Sequence, residues 1–340
     1  MKLRIVQVGL GGWGQDWAAN VVSRNTDVET VAWVEIVEEA LDKAQKRLKL
    51  PKERCFRTLE EALAAYETDA VLITASLPGH VPSALTALQA DKHVLLEKPF
   101  APTIAEALQV VEMAEQRKRI LMISQNYRYT AGVQAAIELV RKQVLGRVGM
   151  VNIDFRRYAN GGPVEGNRHY TLWQPLLVDM AIHHFDLMRA VLGQEPTKVS
   201  CQLWNPPWSH FVEPPAGGAT ITFDGGAVVN YRGSWISTGP QTNWSGDWRM
   251  ECELGEIAWT SRGELPEHVL LRPLGKPEQP VPLSKMALED RNGSLNAFVQ
   301  SVRAGEQPIT SGRNNLKTLA LMYGAVESAT TGLSVTIPQL

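Results

Sequence analysis

The stretch VGLGGWG, Val8–Gly14, decides how the chain reads. It follows an apolar run (Leu3, Ile5, Val6, Val8) and precedes residues 13–24, which suit a helix, so Gly9, Gly11 and Gly14 fall where a strand turns into a helix. In that setting Gly9 permits the tight turn, Gly11 lets the backbone approach a pyrophosphate, and Gly14 allows close helix–strand packing. The helix N-terminus offers unpaired N–H groups to the anion, and Gly12 and Trp13 complete the cradle. A plain tight turn would use the same glycines, and the next strand separates the two readings. Residues 30–34 (TVAWV) favour β-structure and deliver Glu35 about twenty residues beyond the glycines, where a carboxylate accepts hydrogen bonds from ribose hydroxyls. That carboxylate repels a 2′-phosphate, and no arginine follows before Arg47. The expected cofactor is therefore NAD, with NADP less favoured.

Beyond Glu35 the pattern alternates. Residues 37–49 read as a charged helix, and Thr58 followed by Glu61 has capping-box spacing. Residues 69–74 form an uninterrupted apolar strand, as expected where both sheet faces are covered, and run into the loop containing Ala75, Ser76, Leu77 and His80, which with Glu97 and Lys98 is expected to contact the cofactor. Residues 93–96 are a further strand delivering Glu97, Lys98 and Pro99; Thr103 caps another helix, and residues 119–124 complete the set. Strands separated by single helices require right-handed parallel crossovers, so residues 1–124 are expected to form a doubly wound Rossmann sheet with ligands along its carboxyl edge. From residue 125 to 340 the pattern becomes α+β. Helices near 130–144 and 175–192 give way to strands joined by hairpin turns such as DGG at 224–226, predicting a large antiparallel sheet. Closing helices stop at Gly305 and Gly332. The whole is an α/β protein of two domains, as its 340 residues suggest.

Composition narrows the partners. The 34 basic and 36 acidic residues nearly cancel, giving no surplus of positive charge for nucleic acid or anionic membrane. Cys55, Cys201 and Cys252 are widely spaced, which indicates neither a disulfide framework nor a zinc site. There is no apolar run of membrane-spanning length, and Met1–Arg4 leads directly into a strand, so a cytoplasmic protein is expected. Small molecules are the expected partners. Seven of the ten tryptophans lie beyond residue 170, several on strands with no helix predicted to cover them, which points to a homodimer or homotetramer formed through the antiparallel sheet.

Two places carry candidate chemistry. Lys98 sits at a strand end on the ligand edge. In residues 176–188, α-helical spacing places Asp179, His183 and Asp186 on one polar stripe and Leu177, His184, Met188 and Val191 on the opposite apolar face. Asp179, four residues before His183, is positioned to fix the imidazole tautomer and raise its basicity, an acid/base pair. His184 reads as a core histidine. A metal would need ligands beyond one helix face, and none is expected. Arg128, Arg156, Arg157, Arg168, His169 and Tyr170 flank the expected cleft, where arginines suit a carboxylate or a hydroxyl-rich ring.

Read together, the glycine turn, Glu35, Glu97-Lys98-Pro99 and Asp179-x-x-x-His183 resemble the Gfo/Idh/MocA oxidoreductases, the glucose-fructose oxidoreductase and inositol dehydrogenase family. The resemblance spans nearly the whole chain, with residues 74–80 similar to the loop after the family's fourth strand and Asn126, Tyr127 and Arg128 to its domain crossover. It implies a dehydrogenase that moves hydride from a secondary alcohol of a sugar, inositol or related polyol to the nicotinamide. Lys98, Asp179 and His183 would be the catalytic trio, and Asn126, Tyr127, Arg128, Arg156, Arg168 and Tyr170 would stand with it on the substrate. Glycine is frequent in the family before the aspartate, where this chain has Gln174-Pro175. An NAD-dependent glycoside hydrolase working through transient oxidation, and a non-catalytic sensor, are the alternatives the resemblance leaves open.

Overall fold

A computed structural model describes all 340 residues, which divide into two compact units, Met1–Asn126 with Arg291–Leu316, and Tyr127–Asp290 with Lys317–Leu340. The first crossing comes at Asn126/Tyr127, two residues past the expected boundary. The chain then returns, a correction to the single division at 124/125: residues 291–316 pack with the first unit although nothing in composition marks a linker before them.

In the first unit six parallel strands, β1 (Leu3–Val8), β2 (Val28–Val34), β3 (Cys55–Phe56), β4 (Ala70–Ile73), β5 (His93–Leu96) and β6 (Leu121–Ile123), lie in the order β3-β2-β1-β4-β5-β6. The reversal beside β1 is the switch point of a doubly wound sheet, and it puts the ends of β1 and β4 next to each other. β4 is buried throughout, as its apolar run requires. The intervening helices are α1 (Gly12–Asn20), α2 (Glu38–Leu48), α3 (Leu59–Ala65), α4 (Leu77–Gln89) and α5 (Ile104–Gln116). Both expected caps form. The Thr58 hydroxyl accepts from Glu61 N at 3.3 Å, and the Thr103 hydroxyl accepts from Glu106 N at 3.1 Å while donating to the Glu106 carboxylate at 2.7 Å.

The second unit opens with α6 (Ala131–Arg141), β7 (Val148–Arg156) and α7 (Ile182–Leu192). Strands β8 (Pro196–Trp204), β9 (Ala216–Phe223), β10 (Val228–Ser234), β11 (Asp247–Cys252), β12 (Gly255–Thr260), β13 (His268–Pro273) and β14 (Gln279–Pro280) follow. Helices α8 (Asp290–Ala304) and α9 (Gly312–Thr331) and a last strand, β15 (Val335–Thr336), complete the chain. The nine-stranded sheet runs β14-β13-β12-β11-β7-β10-β9-β8-β15. It is mixed, because β7 and β10 pair in parallel from Met150↔Val228 to Arg156↔Ser234, while every other pair is antiparallel. Burial alternates along β7, β9 and β10, so one face is covered. Trp248 and Trp259, cross-strand partners, stack inside it with ring centroids 4.5 Å apart. The open face is polar around Ser200, Gln202, Thr220, Asn230 and Arg232, and Trp204 is the exposed strand tryptophan there. Both closing helices end as expected, Gly305 and Gly332 taking φ near +70°.

Candidate active site

In the first unit the site starts from contacts beneath the glycine turn. Buried Gln7 donates from Nε2 to the Gly14 carbonyl at 2.7 Å, and Thr74, at the end of β4, donates its hydroxyl to the Gly9 carbonyl at 2.8 Å. Gly9 has φ +89°, and a Cβ there would run into the Ala75 backbone; a Cβ on Gly14 would overlap the Gly9 carbonyl. Gly11 and Gly12 differ, since a Cβ on either meets nothing within 4 Å. The protein thus needs Gly9 and Gly14 for its own packing and leaves open space above Gly11 and Gly12. There α1 begins with no side chain capping it, so the N–H groups of its first turn are unmatched within the helix. This cradle fits a dinucleotide's pyrophosphate. Glu35 is buried with Oε2 accepting from Leu10 N at 2.7 Å and Oε1 from Val37 N at 3.0 Å, so it ties the turn to the start of α2 and keeps lone pairs for ribose hydroxyls.

The loop after β4 and the turn after β5 are joined by a histidine. His80 is buried on α4, Nδ1 lying 2.7 Å from the Pro99 carbonyl and Nε2 3.0 Å from that of Ala75, and burial pushes its pKa down. Expected as a cofactor contact, it lies between two backbone segments, its neutral ring donating to one of the two carbonyls. Glu97 is also buried. Trp17 donates to it at 2.9 Å, Trp13 adds a second indole bond, and burial pushes its pKa up against the opposing charge of Lys98. Lys98 is half-buried and precedes a cis peptide to Pro99; Ser76 stands at the N-cap of α4. The sequence reading missed Arg291, whose guanidinium lies 4.3 Å over the Trp13 ring. It arrives from a segment far along the chain, with no motif to announce it.

In the second unit the stretch before α7 departs from α-helical spacing. Pro175–Ala181 is a π-helical segment, entered through Gln174 in the left-handed region (φ +48°), a conformation costing a non-glycine residue about 1–2 kcal/mol. The expected division into polar and apolar faces therefore does not hold, and α7 is buried on nearly every side. Asp186, placed on the polar stripe from the sequence, accepts side-on from Arg128 at 2.6 and 2.7 Å and from Thr318 at 3.2 Å. Arg128 is thus committed to Asp186 with both groups buried, a correction to its expected place among the substrate-holding arginines. His184 is a core histidine, bonded to the Tyr231 hydroxyl (3.0 Å) and the Trp244 carbonyl (2.9 Å), and burial lowers its pKa to about 4.

His183 is buried and lies flat on Tyr127, centroids 4.0 Å apart and planes within 3°. Arg262 also lies over Tyr127, 4.0 Å from the ring centroid, and is itself paired with Asp290 at 3.1 and 2.9 Å. Burial drives the Tyr127 phenol well above its ordinary pKa, with Arg262, Asp290, Asp179 and Arg157 the charges acting on it. Asp179, half-buried, also acts on His169, whose ring meets Trp235 edge-on at 4.7 Å. Arg262, Trp235 and Trp244 therefore join the candidate residues, and Arg157 stays among them. Tyr170 leaves them as a buried tyrosine donating to the Ala159 carbonyl at 2.9 Å. Arg156 is paired with Asp154 and Asp247 on the sheet, Arg168 is exposed on a short 3₁₀ turn, and Asn126 is buried at the end of the first unit.

The two kinds of glycine are separable by experiment. Gly11→Ala is expected to unfold in urea within about 1 kcal/mol of wild type, the scale of an N-cap change, while weakening NAD binding at least about tenfold, or ~1.4 kcal/mol. Gly14→Ala is expected to lower the unfolding midpoint itself. Unchanged NAD affinity in a folded Gly11→Ala protein would contradict a pyrophosphate above that residue.

Comparison with known proteins agrees with this geometry. Residues 3–125 match the profile of the oxidoreductase family with an NAD-binding Rossmann fold, and residues 133–257 match the GFO/IDH/MocA C-terminal domain. A myo-inositol 2-dehydrogenase of Thermotoga maritima is 23% identical over 99% of both chains, and a D-apiose dehydrogenase of Paraburkholderia graminis is 27% identical over 85% of this chain and 78% of its own. Among solved structures, an Agrobacterium radiobacter oxidoreductase in complex with NAD+, L-tartaric acid and magnesium superposes with a TM-score of 0.85 at 18% identity, covering 99% of each chain. The chain belongs to the Gfo/Idh/MocA family of oxidoreductases, and its first unit is that family's NAD-binding Rossmann domain.

Proposed function

We propose that the protein oxidises a secondary alcohol of a sugar, inositol or related polyol, using NAD as the oxidant. The observation that carries this reading is the buried His183 ring lying flat on Tyr127. The relatives named as inositol and apiose dehydrogenases support the substrate class. His183 takes the hydroxyl proton, Asp179 orients the imidazole and raises its basicity, and Lys98, after β5, polarises the oxygen as it becomes a carbonyl. The glycine turn and Glu35 would hold the dinucleotide, whose nicotinamide would supply the hydride acceptor when bound. The carbon loses hydride, the oxygen loses its proton to His183, and a ketone remains. Buried Glu97, hydrogen-bonded by Trp17, steadies the turn that carries Lys98.

We further assign a homo-oligomer, dimer or tetramer, associating through the open face of the nine-stranded sheet, where exposed Trp204 lies on the edge of a polar field. No helix is long and apolar enough to cross a membrane. All three cysteines are free thiols, which supports a reducing, cytoplasmic setting.

Incubating the protein with NAD and a panel of sugars, inositols and sugar acids, and following reduced nicotinamide, tests the activity directly; no reduction by any member would overturn it. On the best substrate, His183→Ala is expected to lower kcat by roughly 10²- to 10⁴-fold with little change in NAD affinity. His184→Ala leaves buried Tyr231 and Trp244 groups without a partner, so it should cost about 1–3 kcal/mol of stability and spare kcat in the folded fraction. Wild-type turnover in His183→Ala would remove it as the base. Titration of both cofactors should favour NAD over NADP at least about tenfold, ~1.4 kcal/mol, because the Glu35 carboxylate repels a 2′-phosphate and Arg57, which reaches the Ile36 carbonyl beside it, is already paired with Glu38; equal affinities would take Glu35 off the ribose. Sedimentation at micromolar concentration should show an assembly larger than a monomer, and a monomer would end the oligomer assignment.

A further inference from the structure

Several arginines in this protein pair with a carboxylate in one way, side-on through Nε and Nη2. Arg128 does so with Asp186 at 2.6 and 2.7 Å, Arg189 with Glu195 at 2.6 and 3.0 Å, Arg262 with Asp290 at 3.1 and 2.9 Å, and Arg232 with Asp154 at 2.6 Å through each nitrogen. That edge matches the spacing of two carboxylate oxygens and gives the strongest hydrogen bonds a guanidinium makes. Arg157 departs from the pattern. Its Nη1 donates to Gln241 at 3.0 Å and to Glu264 at 3.1 Å, but Nε and Nη2 are both buried and donate to no protein group. Leaving buried donors of a charged group unmatched forfeits the hydrogen bonds they make in water, so an edge kept in that state calls for a ligand that completes it.

The surroundings define what the ligand is. Arg157 follows directly on β7, its backbone anchored to Ser234 and Ser237, and its side chain is 10% exposed. The guanidinium carbon lies over the Trp244 ring, 4.0 Å from its centroid, and Trp244 neighbours Trp235, which meets His169. Arg157 is also among the charges that act on the Tyr127 hydroxyl, and Tyr127 carries the ring stacked on His183. Glu264, three-quarters exposed, meets the charge through Nη1 alone and leaves the Nε–Nη2 edge unmatched. Aromatic faces next to a guanidinium edge suit a short hydroxylated chain or ring that ends in an anion.

We propose that the Nε–Nη2 edge of Arg157 receives a carboxylate of the substrate, so that the alcohol oxidised is a hydroxyl of a sugar acid, an aldonate or uronate, in preference to a neutral polyol. This rests on the dehydrogenase reading above and narrows it. Both nitrogens are closed to solvent in this conformation, so adjoining side chains give way as the ligand enters. Arg157 is a specificity-determining residue here, and the proton and hydride steps remain with the groups already named.

Matched pairs test it: D-gluconate against D-glucitol, and D-glucuronate against D-glucose, with binding followed by calorimetry in the presence of NAD and by tryptophan fluorescence, since Trp244 lies under the guanidinium. The acid of at least one pair is expected to bind ten or more times tighter (about 1.4 kcal/mol), and Arg157→Met is expected to abolish the preference while leaving NAD affinity unchanged. Arg157→Lys, which keeps the charge without the fork, should retain part of it and serves if the methionine variant fails to fold. Absence of preference for the acid in both pairs, or a preference that survives in folded Arg157→Met, overturns the assignment. Its failure is distinguishable from failure of the dehydrogenase reading. Acids that bind through Arg157 without reducing NAD would sink the activity alone, whereas neutral polyols oxidised as efficiently as their acids would sink the role of Arg157 alone.

Discussion

The buried pair between Arg128 and Asp186 is the constraint on which the second unit's site depends. Placing two charges in the interior costs several kcal/mol each, and here that cost is offset by two short side-on hydrogen bonds and by the Thr318 hydroxyl on the same carboxylate. The pair contributes orientation more than stability. It fixes the residue after Tyr127 against α7, and His183 lies one turn before Asp186 on that helix, so the Tyr127 ring meets the imidazole face to face. Arg262, held by Asp290, lies over the same tyrosine ring. A histidine so clamped loses little freedom when a substrate arrives, which is what a base acting in a single geometry requires.

The first unit reaches order by a different route. Its cradle is backbone held by backbone: Gln7 and Thr74 grip the carbonyls of Gly14 and Gly9, and Glu35 takes the Leu10 amide. Because the side chains act on the turn from below, the space over Gly11 and Gly12 stays open. His80 lies between the loop after β4 and the turn after Lys98, each ring nitrogen facing a backbone carbonyl, and its neutral ring donates to one of the two. The fit to a dinucleotide therefore lies in shape and unmatched N–H groups, with the carboxylate of Glu35 as the added selective element.

The first unit was legible in the sequence because its signals are local. The glycine spacing, the apolar β4, the caps at Thr58 and Thr103 and the acid after β2 each lie within one strand-helix step. The second unit was legible in outline, with its hairpins and its closing helices ended by glycines. What escaped reading depends on distance in the chain or on a break in regular geometry. The parallel pairing of β7 with β10 joins strands separated by all of α7, β8 and β9, and β13 is a short run flanked by prolines and charges. The π-helical segment at 175–181 displaced the expected face of Asp179, His183 and Asp186, and its left-handed entry falls on Gln174 although glycine is the residue that takes that conformation freely. His184 was readable as core from its place with Leu177, Met188 and Val191, whereas the partners that satisfy it, Tyr231 and Trp244, come from far along the chain. Arg157 was visible as one arginine among several near the expected cleft, whereas its unmatched edge was not, because no sequence pattern records which nitrogen of a guanidinium is in use.

The central claim is that an alcohol carbon gives up hydride while His183 takes the hydroxyl proton. It is tested most directly with a substrate deuterated at its carbinol carbon, incubated with NAD in ordinary water, and with the reduced cofactor analysed by mass spectrometry. The reduced nicotinamide is expected to carry the deuterium, in wild-type protein and, more slowly, in His183→Ala. Reduced cofactor without the label, or deuterium released to solvent, would contradict direct hydride transfer and the roles assigned around it.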